Sequence, residues 1–140
     1  MPCNSALQTG MRISLHNDPP VTPEEPLRNI SVAVTRVAPS GRVIGPEEPL
    51  RNISVAVTRT APSGRVIGPE QRITVDQAIR AQTIDAAWQL HSDDVIGSLE
   101  VGKYADFAVL SDDPLAVAGE DIAAITVRET WVDGERRHRA

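Results

Sequence analysis

Residues 97–110 read Gly-Ser-Leu-Glu-Val-Gly-Lys-Tyr-Ala-Asp-Phe-Ala-Val-Leu, and this stretch decides the fold of the second half of the chain. Gly97 and Gly102 are of the residue type that adopts positive φ without strain, which predicts a tight turn with Lys103 at its solvated tip. The apolar run Phe107–Leu110 follows directly. A short continuous run of this kind is typical of a strand that is covered on both faces. The stretch therefore predicts a glycine turn that leads into a buried strand.

The flanking sequence predicts helices before this stretch and strands after it. Residues 74–77, Thr-Val-Asp-Gln, match a capping box, and apolar residues then recur at helical spacing, so we expect one amphipathic helix to about Leu90. Residues 125–132 are rich in β-branched side chains, and Asp133-Gly134 favours a two-residue hairpin turn. The returning strand, residues 136–139, is polar, which predicts an exposed edge or a frayed end. This order gives an α+β fold class.

Composition and charge argue against several classes of protein. The chain has 140 residues, enough for one ordinary domain, and its formal net charge of −5 argues against a nucleic-acid-binding surface, which needs a basic patch. Cys3 is the single cysteine, so an internal disulfide is excluded and a reducing compartment is expected. No apolar run approaches the roughly 18 residues that cross a membrane, and the start lacks a signal-peptide pattern. We therefore expect a cytoplasmic protein with no nucleic-acid or membrane partner.

A nearly perfect tandem repeat occupies the first half. Residues 23–45 read PEEPLRNISVAVTRVAPSGRVIG, and residues 46–68 differ from them only at Thr60, which replaces Val37. Each copy predicts a loop, an amphipathic helix and an Ala-Pro-Ser-Gly turn. Solenoid arrays need about three copies to bury a shared core, and their repeats normally diverge. The pattern therefore favours a recent duplication that adds one helix and one loop.

Residues 10–21, Gly-Met-Arg-Ile-Ser-Leu-His-Asn-Asp-Pro-Pro-Val, hold the candidate catalytic group. The alternation of Ile13 and Leu15 predicts a strand that ends near His16, which places Asp18 just beyond its carboxyl end. In a parallel α/β barrel, catalytic groups collect at this end of the strands. From composition alone a plain turn is favoured, because Asn, Asp and Pro dominate turns for local reasons.

These motifs together resemble the C-terminal portion of the amidohydrolase superfamily, and in particular its amidohydrolase family 3 branch. Residues 97–106 match the family signature of two glycines, Lys and Ala-Asp, which precedes a hydrophobic strand. Residues 16–21 are similar to a family stretch that usually reads His-Ser-Asp-Ala-Pro-Val, with Asn17 in place of Ser and Pro20 in place of Ala. The helical Thr-Ile-Asp-Ala-Ala motif also follows the family, which more often has Asn where Asp85 stands.

The resemblance implies a division of the chain into two parts. Residues 1–92, which include the duplication at 23–45 and 46–68, would hold the last strand and helices of a metal-dependent hydrolase (β/α)8 barrel. Residues 93–140 would form a segment of the composite β-sandwich domain of the family. On this interpretation the chain is an α+β fragment that corresponds to the C-terminal piece of an amidohydrolase.

The resemblance also implies an activity, which is metal-dependent hydrolysis of a carbon–nitrogen bond other than a peptide bond in a small amide-type substrate. Asp18 matches the family Asp that touches the catalytic zinc or other divalent metal and acts as general base, so it is the candidate catalytic residue and metal ligand. His16 matches the His two positions earlier and is the candidate substrate-binding residue.

Most metal ligands of the family have no counterpart in this sequence. The three histidines, His16, His91 and His138, form no His-x-His pair, and the single lysine, Lys103, belongs to the glycine turn. Catalytic zinc takes about three protein ligands. We therefore expect the isolated chain to bind no metal and to be inactive. The alternatives are a non-catalytic interaction module, with self-association through uncovered apolar surface, and a truncated gene product without a role.

Three further polar residues are expected to be structural. Cys3 has no basic neighbour in the sequence that would activate a thiol. His91 lies at the predicted helix end, where a cap contact is favoured over metal binding. Asp106 is expected to orient the start of the strand at residues 107–110, rather than to serve as a second acid.

Overall fold

The computed structural model describes residues 3–15 and 47–140, apart from the side chains of Glu47 and Glu48. Within these ranges, four α-helices precede a three-stranded sheet, as the α+β prediction requires. The helices are α1 (Cys3–Gln8), α2 (Glu47–Thr58), α3 (Val75–Gln82) and α4 (Ile84–Gln89), with short 3-10 turns at Pro69–Gln71 and Ile122–Ala124. The strands are β1 (Phe107–Leu110), β2 (Val127–Val132) and β3 (Glu135–Arg139). Within these described residues, no helix is long and apolar enough to span a membrane.

The second repeat copy forms the helix and turn that its sequence predicts. Helix α2 buries Leu50, Ile53 and Ala56, each no more than 5% exposed, because these residues recur on one face at helical spacing. The following turn closes where the Gly64 N–H donates to the Ala61 carbonyl at 2.8 Å, with Gly64 at φ 78°. The corresponding prediction for the first copy, residues 23–45, lies outside the described residues.

The predicted capping box is present, but the predicted single helix is wrong. Thr74 Oγ1 accepts the Gln77 N–H at 3.2 Å, and Gln77 Oε1 accepts the Thr74 N–H at 2.9 Å. The helix then breaks at Thr83, whose φ of −122° and ψ of −100° separate α3 from α4. Thr83 is β-branched, and its hydroxyl donates to the Ile79 carbonyl at 2.9 Å, so it suits a helix end better than a helix interior.

The sheet is antiparallel in the order β1-β2-β3. Asp133 and Gly134 have φ values of 52° and 72° and join β2 to β3, which confirms the predicted hairpin turn. Strand β3 is largely exposed and lies at one edge, so the polar C-terminal residues form an edge strand rather than a frayed end. The Phe107 and Trp131 rings stack across β1 and β2 with centroids 5.5 Å apart.

Strand β1 is exposed at its centre, so the prediction of a strand covered on both faces is wrong for the described residues. Phe107 and Leu110 are half-buried, whereas Ala108 and Val109 are exposed, Val109 by 39%. The physical reason is that β1 is an edge strand that pairs with β2 alone in the described sheet. Continuous apolarity identified the strand correctly but did not show how it is covered.

A small apolar core joins the helices to the loops around the sheet. Its buried members are Cys3, Leu50, Ile53, Ala56, Ile73, Ala78, Ile122 and Ile125. Ile122 is completely buried and lies in the 3-10 turn that packs against α2. Cys3 is 5% exposed within this cluster, which fits a small apolar packing residue.

Candidate functional site

The described residues include the approach to the candidate site but not the site residues themselves. His16 and Asp18 lie outside the described ranges, whereas residues 11–15 immediately precede them. The strand predicted from Ile13 and Leu15 does not form over residues 11–15. A strand needs a neighbouring strand to satisfy its backbone, and here the Leu15 N–H instead donates to the Ala81 carbonyl at the end of α3, at 3.2 Å.

Side chains of residues 11–15 also contact α4. The Ser14 hydroxyl donates to Gln89 Oε1 at 2.6 Å. The Arg12 guanidinium lies over the Trp88 ring, 4.9 Å from its centroid, a distance at which a cation is attracted to the face of an aromatic ring. Four residues before His16, the chain therefore contacts α4, the helix that begins within the family-like Thr-Ile-Asp-Ala-Ala motif.

Asp85, on α4, is the acidic partner of Arg12. It is 7% exposed, and its Oδ1 lies 3.9 Å from Arg12 Nε and 3.6 Å from Arg80 Nη2. Both arginine side chains are about half exposed, so the pairs are screened by water on one side. The two cations offset part of the cost of a buried carboxylate, although Asp85 Oδ1 accepts no hydrogen bond from the described residues. The sequence singled out Asp85 for its departure from the family, but the ionic contact with Arg12 was missed.

The glycine turn of residues 97–106 packs directly on α4. Gly97 has φ 89°, and a Cβ placed there would lie 2.7 Å from Ala87 Cβ and 3.0 Å from Ile84 Cα. Glycine is therefore required at this position both by its φ and by the closeness of the helix. After the turn, the Tyr104 N–H donates to the Val95 carbonyl at 2.9 Å, and the chain then enters β1.

Lys103 is not at a solvated tip, so this prediction is wrong. Its side chain is 11% exposed, and Nζ donates to Ser98 Oγ at 2.7 Å. Glu100 Oε1 lies 3.9 Å from the same nitrogen. The long side chain folds back across its own turn, where a hydroxyl and a carboxylate replace part of the water that the ammonium group loses.

Asp106 orients the start of β1, as the sequence predicts. Its Oδ1 accepts the Asp133 N–H at 2.8 Å, and the neighbouring Ala105 carbonyl accepts the Gly134 N–H at 3.1 Å. Both bonds reach the β2–β3 hairpin turn. The end of the glycine signature is therefore hydrogen-bonded to the hairpin turn that lies beside the start of β1, which is a structural role.

A cavity of about 320 Å³ lies between the helices and the sheet. Its walls are mostly apolar and come from α2, α3, β1 and β2, and they include Leu50, Ile79, Phe107, Leu110 and Val127. Gln82 and Thr130 are among its polar lining residues. Among the described residues, Gln82 Nε2 and Thr130 Oγ1 are buried without a hydrogen-bond partner.

Comparison with known proteins identifies the family. The family model described as "Amidohydrolase family" matches residues 1–138. The chain belongs to the amidohydrolase family. N-substituted formamide deformylase from Arthrobacter pascens is 29% identical over 137 residues, which cover 98% of this chain and 21% of that protein. Protein LONG AFTER FAR-RED 3 from Arabidopsis thaliana is 38% identical over 132 residues, or 94% of this chain and 19% of that protein.

Two further comparisons agree with this amidohydrolase assignment. Imidazolonepropionase from Bacteroides fragilis is 50% identical over 42 residues, 30% of this chain and 10% of that protein. The crystal structure of an amidohydrolase from Thermotoga maritima matches with a TM-score of 0.50 and 22% identity, covering 74% of this chain and 22% of that one. The latter likeness concerns the fold. The chain spans about a fifth of the length of the first two curated relatives.

Amidohydrolases are generally metal-dependent, and a metal ion needs several ligand side chains close together. In residues 3–15 and 47–140, no group of three or more His, Cys, Asp or Glu side chains is arranged to hold one. His91 and Asp94 are exposed and Asp93 is half-buried in the segment after α4, and they do not form such a group. The described part of this amidohydrolase chain therefore does not fit a metal centre, and the candidate ligand Asp18 lies outside it.

Proposed function

We propose that this chain supplies the C-terminal part of an enzyme that hydrolyses a carbon–nitrogen bond other than a peptide bond. The observation that carries the proposal is the amidohydrolase family match over residues 1–138. The names of two relatives, an N-substituted formamide deformylase and an imidazolonepropionase, point to small amide-type substrates. The proposed domain division is the one inferred from the sequence, with barrel elements in residues 1–92 and a β-domain segment in 93–140.

In this proposal Asp18 is the catalytic residue and a ligand of zinc or another divalent metal, and His16 contacts the substrate. A carboxylate within reach of water accepts a proton from it, which is the general-base role that the family resemblance gives to Asp18. The contacts of Arg12, Ser14 and Leu15 with α3 and α4 support the assignment, because they hold the chain just before these two residues. We further propose a cytoplasmic enzyme without nucleic-acid or membrane partners.

The isolated chain is expected to show neither turnover nor stoichiometric metal. A purified preparation is loaded with Zn²⁺, desalted, analysed for metal by mass spectrometry, and assayed with N-substituted formamides and imidazolonepropionate. The physical reason is that one candidate carboxylate falls short of the roughly three protein ligands of a catalytic zinc. Turnover with one bound zinc per chain would contradict the proposal that this chain is inactive alone.

A chimera provides the positive test of the proposed role. The region of the Arthrobacter pascens deformylase that aligns with this chain is replaced by residues 1–140, and hydrolysis of an N-substituted formamide is measured. We expect activity in the chimera and a loss of about 10²-fold or more in kcat for Asp18→Asn, the usual range for removal of a general base. The matched control is Asp94→Asn, an exposed carboxylate that should leave kcat unchanged. Equal rates in both variants would exclude Asp18 as the catalytic residue.

The second candidate function is a non-catalytic interaction module, and the exposed edge strand is the observation that favours it. Strand β1 pairs only with β2 in the described sheet, and Ala108 and Val109 are exposed on it. An unpaired strand edge is a template for a further strand. If the module self-associates through this edge, Val109→Lys should shift the protein from oligomer to monomer in size-exclusion chromatography with light scattering. A wild-type monomer with a cooperative melting transition would count against this function.

A further inference from the structure

The second repeat copy docks onto residues that belong to neither copy. We define the docking surface as Ile73, Ala78, Gly119, Ile122 and Ile125, the residues outside the repeat that surround α2. The core cluster places four of them with Leu50, Ile53 and Ala56 of α2. The fifth residue, Gly119, contacts α2 through its main chain.

Two hydrogen bonds and one close approach fix α2 on the docking surface. The Ser54 hydroxyl donates to the Gly119 carbonyl at 2.8 Å, and the Ile73 N–H donates to the Ala56 carbonyl at 3.4 Å. A Cβ at Gly119 would lie 2.9 Å from Val57 Cγ1, so the helix touches the Gly119 main chain directly. The contact between α2 and the docking surface therefore depends on complementary shape as well as on the burial of apolar side chains.

The first copy carries the same residue at every one of these positions. The counterparts of the five docking side chains of α2 are Leu27, Ile30, Ser31, Ala33 and Val34. The single difference between the copies, Val37 against Thr60, falls after the helix, where Thr60 pairs through its backbone with Val66 of its own copy. Residues 24–35 can thus make every contact that residues 47–58 make with the docking surface.

The connections on both sides allow either copy to dock. Each copy ends in Gly and is followed by Pro-Glu, at residues 45–47 and 68–70. Pro69 is exposed, so an undocked copy fits there as a surface insertion. On the other side, residues 16–23 reach about 26 Å when extended. That length suffices to join Leu15 to a docked helix, because Leu15 packs against the same core cluster as Leu50. The entropic cost of a loop grows only with the logarithm of its length.

We propose that the docking surface is shared, and that the two repeat copies exchange on it. The contacts are the same in both arrangements, so the two states differ mainly in how the connecting residues are distributed. The exchange changes the length of chain between Leu15 and the docked helix, which is residues 16–46 when the second copy is docked and residues 16–23 when the first is.

Paired substitutions test the exchange. Aspartate at Ile53 or at Ile30 blocks docking of one copy, because a carboxylate cannot be buried there unpaired. If the two states are equally populated, removing one lowers the ratio of folded to unfolded protein only about two-fold. We therefore expect Ile53→Asp and Ile30→Asp each to melt cooperatively within about 4 °C of the wild type, and the double variant to lose the transition. Val55→Asp, at an exposed position of α2, is the control and should match the wild type.

Hydrogen exchange measured by mass spectrometry identifies the docked copy directly. Peptides that contain Val37 or Thr60 differ in mass, so protection of the two copies is separable. In Ile53→Asp we expect protection to move to the first copy, and in Ile30→Asp to the second. Loss of folding in Ile53→Asp alone, or protection of the second copy only in every folded variant, would overturn the proposal. A folded Ile53→Asp protein that is dimeric by light scattering would also overturn it, since the helix would then come from another chain.

Discussion

Gly97→Ala is expected to lower the free energy of unfolding by about 3 kcal/mol, the sum of a strained backbone and an overpacked contact. An L-residue at φ 89° is disfavoured, and the added Cβ would lie 2.7 Å from Ala87 Cβ. The contact with Ile84 Cα is a main-chain contact, so a side-chain rotation cannot relieve it. Thermal and urea denaturation followed by circular dichroism would measure the loss.

Gly102→Ala is the matched control for this substitution. Gly102 has φ 98°, but a Cβ there would meet no atom within 4 Å, so the variant carries the backbone cost without the collision. We expect about 1–2 kcal/mol for Gly102→Ala, clearly less than for Gly97→Ala. Equal losses in the two variants would show that the closeness of α4 to Gly97 contributes nothing to stability.

The effect of Gly97→Ala should extend toward the candidate site. Gly97 packs on α4, α4 carries Asp85, and Asp85 pairs with Arg12, which lies just before His16. Displacement of α4 by the new methyl group would therefore loosen the Arg12 contact. This chain of contacts gives the glycine signature a physical link to residues that are far from it in the sequence.

Local sequence signals predicted most of the described fold correctly. The capping box of Thr74 and Gln77, the Asp133-Gly134 turn and the helix of the second repeat copy all depend on residues that are close in sequence. Their physical causes, which are cap hydrogen bonds, positive φ and an amphipathic face, act within a few residues. They could therefore be inferred without knowledge of the tertiary structure.

Two of the errors concern what an element packs against: the exposure of Val109 on β1, and the missing strand over residues 11–15, where the Leu15 N–H bonds the distant Ala81 carbonyl. The same holds for the Arg12–Asp85 contact, which joins residues distant in sequence. The helix break at Thr83 and the folded-back side chain of Lys103 involve contacts within five residues, but apolar spacing alone does not predict hydrogen bonds of side chains. Residue spacing predicted candidates for the active site, but the resemblance to a family, rather than spacing, gave Asp18 and His16 their roles.

Ile122→Ala is expected to be the most destabilising core truncation, with a loss of about 3–5 kcal/mol. Ile122 is fully buried in the 3-10 turn of residues 122–124, where it packs against α2 and belongs to the same cluster as Ile53 and Ile125. Truncation removes apolar burial and leaves a cavity at the docking surface of the repeat, where the surrounding helices limit collapse.

A graded series separates this cavity effect from a general loss of hydrophobicity. Ile122→Val removes one methylene group and should cost about 0.5–1.5 kcal/mol, while Leu115→Ala, at a position that is 62% exposed, should cost less than about 0.5 kcal/mol. Urea denaturation gives all three values under one set of conditions. Because either repeat copy would rest on Ile122, its truncation should destabilise both docked states, unlike Ile53→Asp. If Ile122→Ala proved as mild as Leu115→Ala, Ile122 would not be part of the surface on which the helix docks.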